Sequence, residues 1–178
     1  MFVYDNVLSD EICDELVRII DEEAIQYEPY GKSDQNVQAK SIRVESIKEF
    51  EKYDAIIYDV MEKTTKKIQE DYKVTFFGDS GYNLRKIHGP TKEHSDSFLS
   101  DTDAQNISSK EIRNLSVIIA LNSDYEGGEL CFTKQNFSIK LKKGQMIAFP
   151  PFWTHPHYTN DLLNNTYRYT VNTWFYGT

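Results

Sequence analysis

The chain has 178 residues and a formal charge of −8, which allows one domain with a real apolar core and argues against nucleic acid as a partner, since phosphate binding needs clustered Lys and Arg. Two cysteines, Cys13 and Cys131, are too few for a disulfide framework and lack zinc-finger spacing. Neither a basic leader before an apolar stretch nor a run of about 18 apolar residues occurs, so the expectation is a soluble, unprocessed, cytoplasmic protein with no membrane partner.

Phe2 to Tyr4 reads as a short strand. Ser9 is an N-cap, Asp10 and Glu11 sit where a helix dipole favours negative charge, and Ile12, Leu16, Ile19 and Ile20 recur at helical spacing, which predicts a helix over about 9–24. The polar segment from Gln26 to Ser41, broken by Pro29 and Gly31, is expected to be a mobile loop, and a short strand follows around Ile42 to Val44. Ser46 or Glu49 opens a second amphipathic helix carried by Ile47, Phe50, Ile57, Val60, Met61, Thr64 and Ile68. Val74 to Phe77 and Tyr82 to Ile87 are strands. Ser97 to Glu111 is a polar stretch long enough to read as a lid. Arg113 to Asn122 is a nearly continuous apolar strand leading through a turn at Ser123 to Gly128 into Glu129 to Thr133. Phe137 to Leu141 is expected to pair with Gln145 to Phe149 across Lys142 to Gly144, and the alternating Tyr167 to Tyr176 closes the series. Twelve Tyr and ten Phe favour strands, and helices followed by strands give an α+β or mainly β barrel rather than βαβ units.

The chemistry centres on His94-x-Asp96. Side chains two apart on an extended strand share a face, so this pair offers an imidazole nitrogen and a carboxylate oxygen side by side. A third ligand must come from a remote strand, and His155 or His157 in PPFWTHPHYTN is late enough to supply it. Two His and one carboxylate leave positions open on an octahedral ion, the pattern of non-heme Fe(II) oxygenases.

An ordered set of motifs extends this. Tyr82 precedes the His94-x-Asp96 strand, then come Leu121-Asn122, Gly127-Gly128-Glu129-Leu130, Lys143-Gly144, Phe149-Pro150, Arg168-Tyr169 and Trp174. In these the chain resembles the 2-oxoglutarate and Fe(II)-dependent dioxygenases, prolyl-4-hydroxylase-like branch, from about Ile42 onward. The resemblance implies a double-stranded β-helix (jelly-roll, cupin-like) core over 73–178, with residues 1–72 as a helical support whose two amphipathic helices pack on one sheet. It implies Fe(II), 2-oxoglutarate, O2 and ascorbate as cofactors, release of succinate and CO2, and hydroxylation of a C–H bond, foremost of a prolyl residue in a peptide or protein. The histidine a few residues after Phe149-Pro150 is the family's distal metal ligand, which selects His155 and makes the metal set His94, Asp96 and His155. Arg168, Tyr82, Thr170 and Trp174 are implied at the cosubstrate, with Tyr30 and Arg43 as lid residues.

Departures are also legible. The interval from His155 to Arg168 is longer than usual for the family, and Ala120 stands where related prolyl hydroxylases often carry Tyr. Asp96 disfavours halogenation, for which the carboxylate is replaced. A dioxygenase acting on a free amino acid or small molecule is the alternative within the family, and a non-catalytic metal-binding β-helix module the alternative outside it.

Overall fold

In the computed structural model, residues 1–22, 28–29, 38–97 and 112–177 are described. After β1 (Phe2–Tyr4), α1 (Asp10–Glu22) starts where the capping pattern puts it: the Ile12 amide donates to Ser9 Oγ at 3.4 Å, and Cys13, Leu16 and Ile20 form the buried stripe. β2 (Glu28–Pro29) pairs with β3 (Gln38–Arg43). Most of the loop expected over Gln26 to Ser41 lies outside the described residues, but its last residues are strand, paired with β5 below. A 3-10 turn at Val44–Ser46 leads to Glu49 in the left-handed conformation (φ 61°), from which α2 (Phe50–Tyr72) runs to a second left-handed residue, Lys73 (φ 57°), whose N–H donates to the Gln69 carbonyl. Tyr53, Ile57, Met61 and Ile68 face inward, whereas Phe50 is left largely in solvent. No described helix is long and apolar enough to cross a membrane.

The remaining strands are β4 (Phe76–Asp79), β5 (Asn83–His88), β6 (Thr91–His94), β7 (Arg113–Ala120), β8 (Glu126–Gly127), β9 (Leu130–Phe132), β10 (Phe137–Ile139), β11 (Met146–Phe149), β12 (His157–Thr159), β13 (Leu162–Leu163) and β14 (Arg168–Gly177). Among described residues they form a large antiparallel sheet ordered β1-β11-β7-β14-β5-β3-β2, with β4 also on β14, and a smaller sheet ordered β10-β9-β12-β6. β8 and β13 make a separate pair. This is the α+β, double-stranded β-helix type of fold, with both helices on the outer face of the large sheet.

Period two decides what each face does. On one face of the large sheet, Leu84, Val117, Ile119 and Val171 pack with Leu16, Ile20, Ile57 and Met61 of the helices in a single core, each fully buried aliphatic contributing roughly 1.5–3 kcal/mol. The opposite face meets the small sheet, where Ala120, Ile147 and Phe149 pack on Leu130 and Phe132. The expected hairpin of Phe137 to Leu141 with Gln145 to Phe149 does not form. β10 pairs with β9, and β11 pairs with β1 and β7, because Lys142 to Gly144 carries the chain from one sheet to the other. Gly144 (φ 71°) passes so close to the Leu8 carbonyl that a Cβ would sit 2.5 Å from it, and its N–H donates to the Ala120 carbonyl.

Candidate active site

The site lies between the sheets, at the end where β6 and β12 run side by side. His94 is the last residue of β6, and its directly opposed partner in register is His157, the first residue of β12. The two imidazoles stand 4.4 Å apart between ring centroids. Asp96 lies just past the strand, its Oδ1 at 3.4 Å from His94 Nε2 and 3.8 Å from His157 Nε2. One donor atom from each of the three falls within 4.8 Å of the others.

Hydrogen bonds set which nitrogens face inward. His94 Nδ1 lies 2.8 Å from the Lys92 carbonyl and His157 Nδ1 lies 3.1 Å from the His155 carbonyl. A carbonyl only accepts, so both Nδ1 atoms carry a proton, and the two Nε2 atoms on the Asp96 side are left for a metal or, at His94, for a second proton donated to the carboxylate. The carboxylate is oriented by Ser116, whose hydroxyl donates to Asp96 Oδ2 at 2.6 Å, while Arg113 donates to the Asp96 backbone carbonyl at 2.9 Å. Burial alone would push the Asp96 carboxyl up, but the hydrogen bonds from His94 and from the Ser116 hydroxyl outweigh it and hold it well below the usual carboxylate range. At His94 burial works downward and is outweighed by hydrogen bonds to Asp96 and the Lys92 carbonyl, so its pKa is raised. At His157 burial prevails over the attraction of Asp96 and keeps the ring neutral. The Phe132 and Phe149 rings, 5.5 and 4.9 Å away, enclose it.

The donor set fits a divalent iron. Two neutral imidazole nitrogens and an ionised carboxylate are borderline ligands of the facial kind, and donors that each bind one ion at about 2.1 Å can be no more than about 4.2 Å apart, a limit the two Asp96 separations respect.

His155 is the residue the structure corrects. It sits in the turn before β12, its N–H donating to the Phe152 carbonyl and its Nδ1 3.0 Å from Thr154 Oγ1, and its ring lines a separate apolar cavity with Phe2, Tyr72 and Phe152. Two residues apart on a strand would have shared a face, but the strand begins only at His157. The signal was in the sequence: the excess in the His155-to-Arg168 interval is reduced by two residues once His157 is the ligand.

From the three ligands the pocket runs inward in two adjoining compartments. The first holds His94, Asp96, His157, Arg85, Ser116 and Trp174, and the second is closed by Ala120, Tyr125, Gly128, Leu141 and Thr170. Arg168 lines both, its Nη1 donating to the Gly128 carbonyl at 3.0 Å. Thr170 is buried and donates to Asn172 Oδ1 at 2.6 Å. Trp174 carries the Arg113 guanidinium 4.0 Å from its ring centroid. Arg168, Thr170 and Trp174 thus line the pocket from one face of β14.

Tyr82 does not. It shares parity with Leu84, so its ring enters the helix-side core and its hydroxyl donates to Asp79 Oδ2 at 3.3 Å. Arg43 ends β3, ion-paired with Glu45 at 3.0 Å beside Gly81. Tyr30, and the polar stretch from Ser97 to Glu111 apart from Ser97 itself, lie outside the described residues. Ser116 and Tyr125 escaped the sequence reading. Tyr125 brings a phenol to the compartment where Ala120 stands in place of the family tyrosine; burial raises its pKa and the Arg168 charge opposes that.

The model of the 2OG-Fe(II) oxygenase superfamily matches residues 82–176, more than half of the chain and all three ligands. The chain belongs to that superfamily. This 2OG-Fe(II) oxygenase is similar to prolyl 3-hydroxylase 2 of Gallus gallus and of Rattus norvegicus, each 26% identical over 204 aligned positions that take in 96% of this chain. The chain spans only 29% of the length of these curated relatives. Among solved structures, the oxygenase superposes on the viral collagen prolyl hydroxylase of Paramecium bursaria Chlorella virus-1 in its 2OG complex with a TM-score of 0.71 at 19% identity, covering 99% of this chain and 95% of that one. A Trichoplax adhaerens prolyl hydroxylase bound to a hypoxia inducible factor peptide gives 0.71 at 13% identity, covering 98% and 82%, and a Pseudomonas putida prolyl-4-hydroxylase 0.65 at 16%, covering 98% and 91%. At these identities the superpositions show the shared fold of the oxygenase core.

Proposed function

We propose that this Fe(II)- and 2-oxoglutarate-dependent dioxygenase hydroxylates a prolyl residue of a peptide or protein. The observation that carries the reading is the convergence of His94, Asp96 and His157 in a pocket that Arg168 also lines, where it adjoins a second compartment. The prolyl hydroxylases among the relatives and structural neighbours support the choice of substrate.

His94, Asp96 and His157 would hold the iron, which when bound supplies the redox chemistry that couples decarboxylation of 2-oxoglutarate to C–H hydroxylation. The chain does the rest. Ser116 and the two backbone carbonyls on the Nδ1 atoms fix the ligand orientations before any metal arrives. The bond from Arg168 to the Gly128 carbonyl sets the plane of a guanidinium suited to the far carboxylate of 2-oxoglutarate, with Thr170 and Tyr125 in the same compartment. Apolar Ile118, Leu130 and Leu141 exclude water along the way. Ascorbate is proposed as an auxiliary reductant.

The test is succinate release from 2-oxoglutarate with a panel of proline-containing peptides, free amino acids and small acids, followed by mass spectrometry. A gain of one oxygen on a prolyl residue is expected. Turnover with free amino acids alone would replace the peptide reading by a small-molecule one.

A further inference from the structure

We infer that the Asn172 carboxamide holds the metal-end carboxylate of the cosubstrate, the one next to the oxo group, as a neutral donor built into the pocket between the iron ligands and Arg168. The inference rests on the 2-oxoglutarate-dioxygenase reading above.

Strand register places this residue. Arg168, Thr170, Asn172 and Trp174 alternate onto the pocket face of β14, roughly 7 Å apart at each step. Trp174 opposes Ser116, which orients Asp96, whereas Thr170 opposes Ala120 at the inner compartment. Asn172, opposite Ile118, therefore stands one step inward from the ligand end, and it lines both compartments.

Hydrogen bonding decides which end of the amide is free. Thr170 is 2% exposed, and its hydroxyl proton finds its acceptor in Asn172 Oδ1 at 2.6 Å. That bond uses the amide oxygen and leaves the NH2 group, a donor only, with no partner among the described residues. Asn172 is itself only 8% exposed. A buried donor without a partner is disfavoured and asparagine is a poor strand former, so a central strand carries a costly residue where it passes the metal compartment. The hydroxyls nearby are already engaged, Ser116 with Asp96 and Thr91 with Thr159 at 2.9 Å. An anion entering this compartment meets in Asn172 a fixed NH2 group, and a hydrogen bond to a charged oxygen is stronger than one between neutral groups. A neutral donor also suits the ligand end, since it adds no charge to compete with the metal.

The experiment uses Mn(II)-loaded protein and two probes, 2-oxoglutarate and oxalate, the second of which offers carboxylates to the metal but has no arm to reach Arg168. Calorimetric titration gives the Kd of each probe for wild type, Asn172→Leu, Thr170→Val and Arg168→Ala. Asn172→Leu keeps the volume and removes the amide, and should raise the Kd of both probes by about tenfold. Thr170→Val keeps the shape but frees the amide to turn, and should cost both probes about threefold. Arg168→Ala should weaken 2-oxoglutarate and leave oxalate within about twofold. Mn(II) affinity without either probe should stay within about twofold in Asn172→Leu and Thr170→Val. Thermal melting checks that each variant folds, and Thr170→Val carries the test by itself if Asn172→Leu does not. Oxalate affinity kept by Asn172→Leu, or by Thr170→Val where it stands alone, would overturn the inference, as would a loss of Mn(II) affinity equal to that for oxalate. The dioxygenase reading is judged separately, by metal-dependent 2-oxoglutarate binding and succinate release in wild type.

Discussion

Exchanging each of the two neighbouring histidines for leucine separates ligand from bystander. His157 has only 4% of its side chain exposed and is enclosed by Phe132 and Phe149, so truncation to alanine would leave a hole costing about 2–4 kcal/mol and confuse folding with binding. Leucine keeps the volume, suits the aromatic wall and removes the nitrogen. With one of three donors gone, and because losing even a hydrogen-bonding partner of a ligand costs about 10–100-fold, His157→Leu should weaken Mn(II) binding by at least ~100-fold, or ~2.7 kcal/mol. His155, in its turn and facing the separate cavity, should tolerate the same change within about twofold. Free Mn(II) counted by electron paramagnetic resonance during titration gives both numbers, and thermal melting of the metal-free variants confirms that both fold. Retention of wild-type affinity by His157→Leu, or its loss in His155→Leu, would refute the assignment.

Arg168→Ala should raise the 2-oxoglutarate Kd by well over tenfold, about 2–5 kcal/mol for a charge-assisted anchor, with Mn(II) binding barely altered and Arg168→Lys recovering only part; calorimetric titration of each ligand decides it. Ser116→Ala deletes the 2.6 Å bond that aims Asp96, so Mn(II) affinity should fall by about 10–100-fold while the fold persists, and an unchanged affinity would show that Asp96 needs no such guide. Cys13 is fully buried, and burial pushes its thiol up from 9.0 to about 11, with the Lys143 charge opposing. In that window the unfolded chain ionises and the folded one does not, so the group's contribution to stability is intact below about pH 9 and is lost as pH rises to about 11. Urea midpoints should fall more steeply over that range in wild type than in Cys13→Ala, and parallel curves would contradict the linkage.

Much of this molecule was legible because its elements are long and periodic. α1 was written in Ser9, Asp10, Leu16 and Ile20, β7 in a nearly continuous apolar run, and the start of β14 in the alternation of Arg168, Tyr169, Thr170 and Val171. Pairing was less so: whether Phe137 to Ile139 meets the next strand or the previous one depends on where Gly144 sends the chain, and a Lys-Lys-Gly turn reads equally well as a hairpin. The same limit acted at the ligands. Parity cannot choose between His155 and His157, since both have it, and only the first residue of β12 decides. Tyr82 failed for the opposite reason, because parity with Leu84 was available and points it at the helices. Arg85 then follows as the neighbour that must face the pocket.

The position of β14 has a consequence for how the chain acquires its activity. This strand lies between β7 and β5, with β4 also on it, and presents Arg168, Thr170 and Trp174 to the pocket. It is also the last described strand, roughly ninety residues after the β5 partner with which it must register. Until β14 emerges from the ribosome and inserts, the edges of β5 and β7 lack their shared neighbour, and the chain must close one of its longest loops to supply it. Activity should therefore arrive in a single late step, with the unfinished sheet as the stage most in need of protection from aggregation.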